Sequence, residues 1–271
     1  MKDKILQNCG KCGLCLNACP VYKTLKEEQV SPRAKLHLIK AHDRHTLDSS
    51  PFLKEIISKC MMCGSCSAAC PSGIDHYSKF MEMRRKMAEA HGEAPAIKSL
   101  IYLLAHEYRT RFGAGLARTG QKIMPKGLAE KFKLGNIPLK NFPELNAVPF
   151  RKSHDEIIIP KGKPIGRVVY FTGCATNYLY EDTGSAVIGI LRHMGYEIII
   201  PKGQTCCSIP LLFHGAKDQA MGNIRTNIRA LETLDAEAIL VDCSTCGSLS
   251  CCCKQNCFKG DGYPFLYKSA C

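Results

Sequence analysis

CGKCGLCLNACP, residues Cys9–Pro20, returns further along the chain as CMMCGSCSAACP, residues Cys60–Pro71. Each stretch runs C-x2-C-x2-C-x3-C-P, and the match extends to Gly13 with Gly64 and Ala18 with Ala69. Intervals of three and four suit a chelate better than long-range disulfide staples. Three cysteines at i, i+3 and i+6 can wrap one centre, while a fourth, after three more residues, points away and needs a neighbouring centre.

That is the spacing in which three close cysteines hold one cubane [4Fe–4S] cluster and the fourth ligates another. The expected ligand sets are Cys9, Cys12, Cys15 and Cys70 for the first cluster, and Cys60, Cys63, Cys66 and Cys19 for the second. Zinc sites pair two well-separated C-x2-C units and have no use for a third close cysteine or a reciprocal fourth. With every ligand position filled, neither cluster offers a place for substrate. The expectation is therefore an electron wire with no catalytic residue.

The totals agree with that chemistry. The 271 residues hold 18 cysteines, and MKDKILQNCG has neither the apolar segment nor the cleavage site of a secretory signal, so a reducing, cytoplasmic compartment is expected. No apolar run reaches the ~18 residues of a membrane span. The formal charge of +13 counts cysteines as neutral; a cubane with four thiolates carries roughly two negative charges, which lowers the real balance. Tryptophan is absent, and no aromatic–basic interleaving points to nucleic acid.

Three regions and a tail follow from composition. Residues 1–94 carry eight cysteines and read as an all-helical two-cluster ferredoxin-like domain. Ser31-Pro32 and Ser50-Pro51 pair an N-cap with proline at the first helical position. Phe52, Leu53, Ile56 and Ile57 follow at helical spacing, and a third helix is expected from Asp75 to Ala90. Residues 95–166 contain no cysteine and read as a basic helical segment with a Pro-rich linker. Ile97, Leu100, Ile101 and Leu104 mark an amphipathic helix there. From Lys98 to Lys140 there are nine Lys or Arg and two Glu, a basic surface for its own domain, a partner protein or a peripheral membrane contact.

Residues 167–250 change period. Val168–Phe171, Ile198–Ile200 and Ala238–Val241 read as short buried strands, separated by helices with Val187, Ile190, Leu191 and Met194, then Met221, Ile224, Ile228 and Leu231, on one face. Strand–helix–strand–helix–strand predicts a partial parallel α/β domain, so the fold class is α followed by α/β. Cys174, Cys206, Cys207, Cys243 and Cys246 all fall just beyond strand carboxyl ends, the rim where such folds place ligands. Five unrelated core cysteines would not be expected to gather on one rim.

The arrangement C-x31-CC-x35-C-x2-C resembles the cysteine-rich domain of the heterodisulfide reductase B subunit and its relatives. Together with the N-terminal motifs, with SPRAKLHLIK (Ser31–Lys40), FTGCATNYLY (Phe171–Tyr180) and VDCSTCG (Val241–Gly247), the chain resembles the iron–sulfur subunit of glycolate oxidase. Lactate-utilisation iron–sulfur proteins and the C subunit of anaerobic glycerol-3-phosphate dehydrogenase are similar. The resemblance implies an electron-transfer subunit that takes electrons from an FAD-containing dehydrogenase of a 2-hydroxy acid and passes them to a quinone or other acceptor. It also implies a further iron–sulfur centre at the five rim cysteines. Thiol–disulfide chemistry at Cys206 and Cys207, or a zinc-binding interaction module, are the other readings.

Ser208 stands where the family's motif has glycine. The family continues into a second cysteine-rich domain, so the tail 251–271, with Cys251, Cys252, Cys253, Cys257 and Cys271, is expected to reflect a truncated or frame-shifted product, with an additional metal site as the other reading. Arg33 is expected to anchor the cluster domain or place a charge beside a cluster. Arg84-Arg85-Lys86 reads as a solvated helix face, and His37, His42 and His45 as surface residues.

Overall fold

The computed structural model describes residues 9–123 and 141–247, with the backbone of 133–134 and 137–138. The cysteines of the 251–271 tail lie outside the described residues. Two compact units divide the chain: one runs up to Ile101 and includes Pro210–Lys217, and the other comprises Tyr102–Ile209 and the residues from Asp218 onward.

In the first unit the described residues are helices joined by cysteine loops. Ser31 and Ser50 cap the helices Pro32–Asp43 and Pro51–Ser58, their hydroxyls accepting from Ala34 N at 3.0 Å and Leu53 N at 3.1 Å. Each proline supplies a preset φ where no donor is needed, and each cap is worth about 1 kcal/mol. Asp75 caps the third long helix, His76–His91, accepting from Ser78 N at 3.0 Å. The three helices close around Leu36, Ile39, Leu53, Ile57, Phe80, Met83 and Met87. Phe52, expected on the packed face, is exposed instead.

The duplication is conformational as well as chemical. Lys11 and Met62, at matching places in the two motifs, both have φ 54°, and Gly13 and Gly64 have φ 81° and 76°. The glycines then begin the short helices Leu14–Ala18 and Ser65–Ala68. Left-handed backbone at the third and fifth positions curls each loop around a centre, and glycine removes the steric cost at the fifth. After the fourth cysteine, Pro20 starts the helix Pro20–Leu25, which carries the chain away.

The second unit is built on a four-stranded sheet in which residues 157–158, 196–199, 166–170 and 238–240 follow one another in space. The strands are β3 (Ile157–Ile158), β4 (Gly166–Tyr170), β5 (Tyr196–Ile199) and β6 (Ala238–Leu240). A separate antiparallel pair, β1 (Lys133–Leu134) and β2 (Ile137–Pro138), precedes them. β4 pairs in parallel with both β5 and β6, as strand–helix–strand periodicity requires. The sheet as a whole is mixed, because β3 pairs antiparallel with β5, with Ile157 opposite Ile199. β3 comes from the segment read as a linker: two residues after a polar run are too short for a period-two signal.

The helix Glu181–His193 connects β4 to β5, and Lys217–Glu232 connects β5 to β6. Lys217–Glu232 buries Met221, Ile224 and Leu231 of its expected face, whereas the packed face of Glu181–His193 differs from expectation. Ile188 and Leu191 are buried, whereas Ile190 and Met194 are exposed. Gly184 is buried where an added Cβ would lie 2.6 Å from the Phe150 ring, so close helix approach rotates the face. Phe150, Val168, Tyr170, Ile188, Leu191, Ile198 and Ile200 form the core. Of the Ile97–Leu104 pattern, only Leu104 is fully buried in its helix, Pro95–Leu104.

Candidate metal centres

Two cavities in the first unit are lined by cysteine. One brings together Cys9, Cys12 and Cys15 with Cys70. The other brings together Cys60, Cys63 and Cys66 with Cys19. Each motif therefore gives its first three cysteines to one cavity and its fourth to the other. Charge coupling follows the same grouping. Burial first, then the sulfurs of Cys60, Cys63 and Cys19, push the Cys66 thiol up to about 12. Burial raises Cys15 too, with Cys9 and Cys12 next and Cys70 adding in the same direction.

Backbone N–H groups reach sulfurs of both motifs. Met62 N donates to Cys60 Sγ at 3.4 Å, a bond that its left-handed φ makes available. Tyr22 N donates to Cys19 Sγ at 3.4 Å from the first turn of the Pro20–Leu25 helix. Such bonds stabilise thiolate and tune whatever the sulfur ligates.

Lys35 lines the Cys19, Cys60, Cys63 and Cys66 cavity and is 1% exposed. Its hydrogen bond goes from Nζ to Val30 O, at 2.6 Å. Burial lowers its pKa, and the Cys60, Cys19 and Cys66 sulfurs oppose that shift. A buried ammonium with one carbonyl partner fits a cavity whose occupant is anionic. Arg33 lines the other cavity and pairs with Glu28 at 3.0 Å, in keeping with a charge beside the centre. Among the described residues no three His, Cys, Asp or Glu converge on a point that would hold one ion. Four thiols set around a cavity beside a cation suit a polynuclear, net-anionic cluster.

The sequence reading missed Lys35. Its signal was position: Pro32, Lys35, Leu36 and Ile39 share the buried face of one helix. Arg84 also departs from the solvated face expected of it. It donates to Ser58 O at 2.8 Å, Cys60 O at 2.5 Å and Phe213 O at 3.3 Å, tying down the entry to the second motif. Arg85 pairs with Glu82 and Glu89, and Lys86 with Asp43. His42 lies 3.8 Å from Asp43, and neither it nor His37 or His45 lines a cysteine cavity.

In the second unit the five rim cysteines come together. The thiols of Cys174 and Cys206, Cys206 and Cys207, Cys207 and Cys246, and Cys246 and Cys243 lie near enough to shift one another's titration. The neighbouring Cys206 sulfur, then burial, holds the Cys174 thiol well above the ordinary range. Gly173 permits the approach: a Cβ there would lie 3.1 Å from Cys246 Sγ. Asn227 fixes the Cys206-Cys207 loop, accepting from Thr205 N at 2.6 Å and donating to Cys206 O at 3.0 Å. Gln204 donates to Thr172 O at 2.8 Å. Tyr170 donates to Asp242 Oδ2 at 2.9 Å, joining the strand ends that bear Cys174 and Cys243. Asn227 and Gln204 escaped the sequence reading, because a lone polar residue in a helix or loop carries no period.

Comparison with known proteins agrees with this layout. A family described as 4Fe-4S dicluster domain matches residues 5–74, and one described as Cysteine-rich domain matches residues 168–249. The chain is 28% identical to the probable glycolate oxidase iron-sulfur subunit of Bacillus subtilis, over 92% of this chain and 59% of that protein. It is 24% identical to the C subunit of the anaerobic glycerol-3-phosphate dehydrogenase of Escherichia coli, over 91% of this chain and 62% of that one. It is 23% identical to the D subunit of the dihydromethanophenazine:CoB–CoM heterodisulfide reductase of Methanosarcina acetivorans, over 89% of this chain and 56% of that one. The chain thus spans somewhat over half the length of these relatives. No solved structure matches it. The chain carries a 4Fe-4S dicluster domain followed by a cysteine-rich domain, with [4Fe–4S] clusters as its cofactors, and is a modest-identity homologue of the iron–sulfur subunits of these oxidoreductases.

Proposed function

We propose that the chain relays electrons as the iron–sulfur component of a dehydrogenase built from several different chains. Cys9, Cys12, Cys15 and Cys70 would hold one [4Fe–4S] cluster, and Cys60, Cys63, Cys66 and Cys19 the other. The exchange of fourth cysteines between the two cavities is the observation that carries this reading. A bound cluster supplies a one-electron couple. The chain's own residues saturate it with thiolate, leaving no position for substrate. Lys35 and Arg33 set positive charge beside each cavity, and Val21, Met62 and Phe80 exclude water from the second.

The names of relatives such as the glycolate oxidase iron-sulfur subunit support a partner dehydrogenase subunit; in this reading that partner contains FAD, oxidises a 2-hydroxy acid, glycolate or lactate, and the electrons pass to a quinone-type acceptor. A glycerol-3-phosphate complex is the other donor reading. The division that goes with this reading is 1–94 for the dicluster domain, 95–166 for the basic helical segment, 167–250 for the cysteine-rich domain and 251–271 for the tail, in a cytoplasmic setting. No helix among the described residues is long and apolar enough to cross a membrane. Cys174, Cys206, Cys207, Cys243 and Cys246 would hold a third centre. The Cys206–Cys207 contact also favours dithiol–disulfide chemistry there.

Anaerobic purification with iron, sulfide and zinc analysis tests the reading. About eight iron and eight sulfide per chain are expected from the dicluster alone, and more if the third centre is loaded. Stoichiometric zinc without sulfide would contradict it. Reduction of the clusters by an added flavoprotein with glycolate or lactate, and not with glycerol 3-phosphate, would fix the donor.

A further inference from the structure

The helix Glu107–Ile123 has its apolar residues on the wrong side for a helix that packs on its own body. None of its seventeen residues is buried. Tyr108, Phe112, Leu116 and Ile123 are 60%, 76%, 66% and 75% exposed. At 3.6 residues per turn these four fall, with Thr119, in one arc of about 80°. The opposite side holds small and polar residues that fasten the helix to its unit. A Cβ on Gly113 would lie 2.9 Å from Leu103, and Thr110 donates to Leu103 O at 2.9 Å. Glu107 accepts from Tyr178 at 2.7 Å and pairs with Arg151. Arg118 donates to Ala147 O at 2.9 Å, and Gln121 to Pro143 O at 3.0 Å. The helix is therefore tied at both ends with its apolar arc turned away from the unit that holds it.

Cations flank that arc. Arg109 lies beside it, its guanidinium 4.1 Å from the Tyr102 ring, and Arg111 and Lys122 lie along the other border. Glu107 is the helix's one acidic residue, and it is already paired. Aromatic and aliphatic side chains between rows of arginine and lysine make the face of a helix that lies in a bilayer interface, with the apolar side among acyl chains and the cations at anionic headgroups. Tyr102 and Tyr108 suit the headgroup level, where an apolar ring and a polar tip are both satisfied.

We propose that the 107–123 helix docks this chain, in the plane of the membrane, onto an anionic lipid bilayer. Positive charge on both borders favours lipid over a protein groove, since an anionic surface meets both borders at once. The proposal stands apart from the electron-relay reading, because vesicle binding is measured without any redox assay.

The absence of tryptophan from the sequence provides a direct probe. The Phe112→Trp variant of the full chain is mixed with vesicles of phosphatidylcholine alone, or with phosphatidylglycerol added. The expected result is a blue-shifted emission, quenched by brominated acyl chains, with phosphatidylglycerol vesicles and little change with neutral ones. In co-sedimentation, Phe112→Ser combined with Leu116→Ser should weaken binding at least roughly tenfold, and Arg111→Glu with Lys122→Glu should abolish the lipid preference. Both variants should keep the wild-type iron content and circular dichroism. An unshifted emission from Phe112→Trp, vesicle binding that survives loss of the apolar pair, or a stripe protected only by a protein partner would each overturn the proposal.

Discussion

Lys35, which lines the cavity of Cys19, Cys60, Cys63 and Cys66, donates from Nζ to Val30 O at 2.6 Å. One carbonyl leaves most of the ammonium's charge to the occupant of that cavity. Positive charge favours the more negative, reduced cluster, so Lys35→Gln should lower the potential of this cluster and leave the other unmoved. A nearby charge at an effective dielectric of about 20 is worth on the order of 1–4 kcal/mol. With ~59 mV per tenfold change for one electron, the drop should be on the order of 40–170 mV. An EPR-monitored redox titration reads it, and equal shifts in both clusters would mark a general structural effect.

Asn227 should matter through the loop it holds. Asn227→Ala strands the donor of Thr205 and the acceptor of Cys206, both tied by that side chain, and should cost about 1–3 kcal/mol. Thr226→Ala, at an exposed position on the same helix, should stay within about 0.5 kcal/mol. Denaturant midpoints measure both, and faster alkylation of Cys206 and Cys207 should accompany only the first.

Ser208 has φ 71° and is fully buried, which explains why a glycine belongs there. Its N still reaches Cys206 Sγ at 3.4 Å, and its hydroxyl donates to Cys206 O at 3.3 Å. Relief of left-handed strain is worth about 1–2 kcal/mol. The lost hydrogen bond and the added unfolded-state freedom of glycine remove a similar amount. Ser208→Gly should therefore change stability by less than about 1 kcal/mol, whereas Ser208→Val should cost more than about 2 kcal/mol, because branching at positive φ has no compensation. Denaturant midpoints of the two variants measure the difference.

Sequence made the cysteine loops, the capped helices and the parallel strand trio legible, because each rests on local chemistry or a strong period. Ser31-Pro32 and Ser50-Pro51 are complete instructions for a helix start. The two-residue strand β3, the rotation of Glu181–His193 around Gly184 and the inward turn of Arg84 depend on partners far along the chain. Lys35 is the instructive case. A lysine on an apolar helix face looks like noise until the cavity beside it is seen to be ringed with thiols.

The reciprocal ligand exchange is tested most directly by replacing Cys19 with Ser and repeating the EPR titration. The account predicts that the signal whose potential moves in Lys35→Gln is the one lost or altered in Cys19→Ser, while the cluster of Cys9, Cys12, Cys15 and Cys70 keeps its signal and potential. Loss of the signal that Lys35→Gln leaves untouched would contradict it.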